Sequence, residues 1–225
     1  MGSASLAELR LFQLISPSLP VGGFTYSQGL EWAIEAGWVT DTTSLQAWLK
    51  SVFAASVATL ELPILVRLLD AFNNGDETSV LRWTRWLLAC RETMELRKEE
   101  RQRGAALAKL LPQLEVNIPD NLSSIVASSQ LTGIALAASQ WHIDCRQLCR
   151  GYSWSWVENN VVAGVKLIPL GQTHGQQIML ELAEEIPAAV TRAELISDAG
   201  ISSSTPAMAI ASSRHETQYT RLFRS

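Results

Sequence analysis

Leu45, Trp48, Leu49, Val52, Phe53, Ser56 and Leu60 recur at intervals of three and four residues, which places them on one face of a helix of about 3.6 residues per turn. No convincing stretch of the chain alternates with the period of two that a half-buried strand requires. The same helical spacing returns throughout, so the chain reads as all-α: a single-domain bundle of about eight to ten helices, with no repeat of fixed period to suggest a solenoid. Thr43 and Gln46 have capping-box spacing at the head of the first clear stripe, and Pro63 suits the first turn of a following helix that Asn73, Asn74 and Gly75 stop. A long helix is expected from about Glu77 to Leu111, apolar at first and solvated between Arg91 and Arg103. Pro112 and Pro119 bracket a connector, and a small-residue helix follows over 123–139. Asp144 caps the next helix, which runs towards Pro169. Thr173 and Gln176 open one that stops before Pro187, and another covers about 188–198.

Residues 1–200 form the expected helical domain. Residues 201–225 form a tail with a Ser-rich start, a short helix after Pro206, and an aromatic and cationic end at Tyr219, Arg221, Phe223 and Arg224. Met1, Gly2 and Ser3 read as an added remnant.

Composition narrows the function. Of the 225 residues 47% are hydrophobic and only 18% charged, against roughly 25% in an ordinary soluble domain, which leaves apolar surface for association. A net charge of −4 offers no basic footprint for nucleic acid or an anionic membrane. Uninterrupted apolar runs fall short of the roughly 18 residues of a membrane span, so a cytoplasmic protein is expected. Three cysteines, two of them close together, fit reduced thiols better than a disulfide framework.

Motifs for chemistry are sparse. The glycine and lysine pattern of a phosphate-binding loop is missing, and GQTHGQ (Gly171 to Gln176) reads as a helix start, so the chain is not expected to hydrolyse a nucleotide itself. His142, Cys145 and Cys149 have the spacing of one helical face and the soft donors of a late first-row metal, but a packed core face explains them more simply. Glu99 with Glu100 sits in the solvated charge run. The readings left open beside a non-catalytic protein are an all-α enzyme with Cys145 or Cys149 as nucleophile and a direct carrier of such a metal built on His142 and the two cysteines.

Two stretches ask for more. In the opening loop Pro17 and Pro20 stiffen the chain, Gly22 and Gly23 permit close backbone approach, and Phe24 and Tyr26 are expected to be held outwards as a contact surface. Further on, Asn159, Asn160 and Lys166 lie within an apolar helix. The asparagines are expected to satisfy backbone groups, and Lys166 either snorkels or serves an interface.

Three blocks, SPSLPVGGFTYSQGLEWAI (Ser16 to Ile34), VENNVVAGVKLIPLGQTHGQ (Val157 to Gln176) and HETQYTRLFRS (His215 to Ser225), closely resemble the urease accessory protein F family in order and spacing. The resemblance implies an all-α scaffold of urease maturation with no catalytic activity, cofactor or metal site of its own. It implies binding to the D or H accessory protein on apo-urease and, as a homodimer, to the nickel-carrying GTPase accessory protein G, coupling GTP hydrolysis to nickel insertion. The tail is expected to fold back near the opening loop, which assigns Phe24, Tyr26, Arg221 and Arg224 to the GTPase surface, with Lys166 nearby. No residue between Leu62 and Leu114 is matched individually, and the D/H face stays unassigned.

Overall fold

Two helices, α1 (Gly2–Ile15) and α2 (Leu30–Glu35), flank the opening loop and lead into α3 (Thr42–Val52), a π-helical stretch (Phe53–Glu61) and α4 (Leu62–Asn74), which join as one rod of 33 residues. The remaining helices are α5 (Glu77–Ala89), α6 (Met94–Leu110), α7 (Ser123–Val126), α8 (Gln130–Gln140), α9 (Cys145–Leu167), α10 (Gln172–Leu195) and α11 (Pro206–His215). This computed structural model describes the backbone of residues 2–225 and the side chains of 6–225, so Met1 of the expected remnant lies outside it. Among the described residues there is no strand, and the all-α expectation holds.

The central rod is longer than its sequence punctuation suggested. Its cap is Asp41, whose carboxylate accepts the Ser44 N–H at 2.8 Å while Ser44 Oγ accepts the Asp41 N–H at 3.0 Å; the Thr43 and Gln46 pair does not form the box. Pro63 stands in the first turn of α4, as expected, but α4 continues the rod without a break. The missing N–H of Pro63 removes a donor at the end of the π turns, where the Thr59 carbonyl accepts the Ser202 N–H at 3.3 Å. The Ala55 carbonyl takes the Ser204 N–H at 3.1 Å in the same way. The rod is long and apolar enough to cross a membrane by composition, yet 72% of its most apolar window is buried inside the bundle.

Two expected helices each break in two. Over 77–111 the break falls between Ala89 and Met94: Arg91 turns inwards, and Thr93 Oγ caps α6 by accepting the Leu96 N–H at 3.2 Å. The run from Arg91 to Arg103 is not a solvated face either. Arg91, Glu95, Glu99 and Glu100 are all buried, and the charged residues that point outwards are Glu92, Lys98 and Arg101. Over 123–139 the break falls at Ala127–Ser129, where Ser129 caps α8 through the Thr132 N–H. In the opposite sense, α10 runs through Pro187. That residue lies on the exposed side, and Ile186, Ala189, Val190 and Ala193 continue the buried stripe across it, so packing outweighs the roughly 3 kcal/mol cost of an internal proline.

Close helix packing holds α6 against α8. A Cβ on Gly104 would stand 2.5 Å from the Ser129 nitrogen, and one on Gly133 would stand 2.8 Å from Leu107. The small residues of the α8 stretch therefore do admit a neighbour closely, as expected. We expect Gly104→Ala to destabilise the fold by about 2 kcal/mol, because the added methyl meets backbone that cannot swing aside; urea denaturation of the two proteins measures it.

Candidate functional site at the loop and tail

The opening loop is pinned from both sides. Leu19 and Val21 anchor it in the core, Gly22 turns it with φ of 72°, and a 3-10 turn (Gly23–Thr25) follows. Phe24, on that turn, is 54% exposed. Tyr26, expected to stand outwards beside it, is buried instead, and its hydroxyl donates to Gln102 Oε1 at 2.8 Å. The phenol has a polar partner inside, so desolvation of its ring outweighs any gain from display. That burial, with Glu99 nearby, raises the Tyr26 pKa above the usual phenol range.

Beyond α11 the chain returns to this loop. Arg224 N–H donates to the Thr25 carbonyl at 2.8 Å, and the Ser225 carbonyl accepts from Gln28 N–H at 3.0 Å and Ser27 Oγ at 2.6 Å. The Glu31 carboxylate accepts the N–H groups of Leu222 and Phe223 at 2.6 and 2.9 Å, and the Phe223 ring is buried. Arg221 reaches Glu95 at 3.0 Å with its side chain 40% exposed, so its guanidinium is engaged within the chain. Gln28 adopts φ of +52°, a conformation few side chains accept. Its amide spans the gap below, donating to Glu99 at 3.2 Å and accepting from Trp156 Nε1 at 3.2 Å.

Underneath lies a buried charge network. Arg91 bonds Glu61 at 2.8 Å and Glu100 at 2.7 Å, Arg103 bonds Glu99 at 2.7 Å, Ser129 Oγ donates to Glu100 at 2.8 Å, and the Tyr152 hydroxyl donates to Glu61. Burial alone would lower the Arg91 pKa, but Glu61 and Glu100 outweigh it and hold the guanidinium well above its usual range. Glu100 is likewise opposed by burial, yet Arg91 and the Ser129 hydroxyl bring it below the usual carboxylate range. For Glu99 burial wins over Arg103, and its carboxyl is raised. Glu99, Glu100, Arg91 and Arg103 border a cavity of about 40 Å³, large enough for a few waters and far below the roughly 300 Å³ of an ordinary ligand site.

Phe24, Tyr26, Arg221 and Arg224 thus meet where loop and tail join. Lys166 is set apart: α9 meets the loop at Asn159, beside Gly23, and Lys166 follows seven residues later, about 10 Å further along the axis. It is exposed in the last turn of α9, where a cation suits the helix dipole. Asn159 and Asn160 donate to the Ser155 and Trp156 carbonyls of their own helix. Of the residues that hold the tail, Gln28, Glu31 and His215 carried no sequence signal of their role beyond their place in the resembling blocks, and Glu95, outside those blocks, carried none. Among the described residues no three His, Cys, Asp or Glu side chains are grouped to hold a metal. Cys149 is fully buried, and its hydrogen bond with Cys145 and its burial push its thiol well up.

The UreF family model matches residues 39–183. The urease accessory protein UreF of Alcanivorax borkumensis is 50% identical over 225 residues, covering 97% of this chain and 98% of that protein. Those of Pseudomonas putida W619 and Klebsiella pneumoniae are 50% and 47% identical over 223 residues, each covering 99% of this chain and all of the relative.

Removing the central cation of the buried network is the direct test of its worth. We expect Arg91→Met to cost about 3–5 kcal/mol, since Glu61 and Glu100 are left buried without their counter-charge; chemical denaturation at neutral pH reads the loss.

Proposed function

Because the chain belongs to the UreF family of urease accessory proteins, we propose that it is a non-catalytic adaptor that joins the urease-bound D/H accessory protein to the GTPase accessory protein G. The GTPase brings the nickel, and the adaptor couples GTP hydrolysis to its insertion into apo-urease in the cytoplasm. The adaptor acts as a homodimer within that complex. The observation that carries this reading is the closure of the tail over the loop. It leaves Phe24 at 54%, Leu222 at 69% and Tyr219 at 103% exposure beside the cations Arg221 and Arg224, on backbone that hydrogen bonds hold in place.

Aromatic side chains and arginines dominate the energetics of protein interfaces, and ordering them beforehand removes entropy that binding would otherwise cost. Tyr26 contributes from beneath, as a support for the loop. Arg221 and Arg224 contribute charge at the rim, and the engagement of Arg221 with Glu95 favours a role in shaping the surface over insertion into a nucleotide site. An adaptor needs a second face, and Leu6, Leu9 and Phe12 supply an apolar one, each more than half exposed along α1. Lys166 offers a separate cation at the flank of the loop.

Two measurements test this. Deleting residues 216–225 is expected to abolish capture of the GTPase in a pull-down while leaving the helical far-ultraviolet signal near normal; undiminished capture rejects the composite surface. Lys166→Ala is expected to leave the fold unchanged and to weaken capture or GTP-coupled urease activation several-fold; normal assembly, hydrolysis and activation together assign Lys166 to snorkelling alone.

A further inference from the structure

His215, the last residue of α11, is fully buried, and its two ring nitrogens face two different carboxylates. Nδ1 lies 2.8 Å from Glu95 Oε2 on α6, and Nε2 lies 3.1 Å from Glu31 Oε2 on α2. A neutral imidazole has one N–H and serves only one of them, turning a lone pair on the other towards a carboxylate oxygen inside the protein. The imidazolium donates to both. The contact to Glu31 is the consequential one, because Glu31 Oε2 also accepts the Phe223 N–H and Glu31 Oε1 the Leu222 N–H. One carboxylate thus holds the ring and the returning tail together.

Other charged groups lie along the same contacts between tail, α2 and α6. Arg221 bonds Glu95 Oε1, while Glu216 accepts the N–H groups of Met94 and Glu95 at the start of α6, and Glu35 of α2 accepts from Gln218. Glu95 is thus shared between the ring and the Arg221 guanidinium, whereas among the described residues the ring is the one ion-pair partner of Glu31. The neighbouring Thr93 and Ser212 hydroxyls bond each other at 2.8 Å and supply no charge.

We propose that His215 is a protonation latch for the C-terminal tail: the imidazolium clasps Glu31 and Glu95 and keeps residues 216–225 on the opening loop, and loss of its proton releases them. The closed form binds the proton, so closure is favoured at lower pH and weakens as the medium turns alkaline. On the adaptor reading above, on which this consequence rests, alkaline conditions dismantle the partner surface. Hydrolysis of urea releases ammonia and raises pH, so urease maturation would be restrained as the product accumulates.

Hydrogen exchange of the full chain from about pH 6 to about pH 9, corrected for the intrinsic pH dependence of exchange, tests the latch. Protection of Leu222, Phe223 and Gln28 is expected to fall about tenfold or more relative to α8, the loss of a charge-assisted hydrogen bond. In His215→Gln protection should be low and independent of pH. Should that variant fail to fold, Glu95→Gln serves: its amide oxygen still accepts from Arg221 and its NH2 donates to Nδ1 of a neutral ring, whose Nε2–H then holds Glu31, so the profile flattens with the tail's own acceptors intact. Constant tail protection in the wild type, or a pH dependence that survives Glu95→Gln, overturns the latch. GTPase capture across the same range separates the two readings: a tail that opens without loss of capture upholds the latch and refutes the assignment of the surface.

Discussion

Arg91 stands between Glu61 and Glu100 with almost no access to water, and much of the architecture follows from keeping it there. Desolvating a guanidinium and two carboxylates is tolerable only when each finds its partners, so the elements that carry them must arrive in register. The π turns of the central rod bring Glu61 inwards, the break between α5 and α6 lets Arg91 turn to meet it, and the break before α8 presents Ser129 to Glu100. Three departures from regular helix serve one electrostatic centre.

From that centre the order extends to the surface. Arg103 and Glu99 continue the network, Gln28 links Glu99 to Trp156, and the strained backbone of Gln28 is held where its N–H meets the Ser225 carbonyl. The loop and tail that present Phe24 and Leu222 are therefore the outer edge of a polar network that begins in the core. Such a surface is rigid where it is attached and apolar where it is exposed, which suits recognition. The Glu31, His215 and Glu95 cluster adds a second attachment, and it differs in kind because one imidazole bridges two carboxylates from separate helices.

Much of the fold was legible from spacing. The stripe from Leu45 to Leu60, the stop at Gly75, the Asp144 cap and the short helix after Pro206 all appear as read, because local propensity and burial agree there. The site was legible only in part. Phe24 is exposed and the tail does return to the loop, but Tyr26 turns inwards to Gln102, and Arg221 is occupied by Glu95. A side chain that is half apolar and half polar gives no hint of its direction until its partner's position is known.

By itself the sequence determined the helical class, the rough placement of the helices and the family likeness, since periodicity and caps act between residues within a few positions of one another. The tertiary structure alone decided which charged residues are buried, where helices break or run on, and what the tail touches. Glu99, Glu100 and Arg91 look like a solvated run when only their neighbours along the chain are considered. They become a core network because partners 29 or more positions away, Glu61, Ser129 and Gln28 among them, compensate their desolvation. Pro187 likewise looks like a stop until burial across α10 outweighs its local cost.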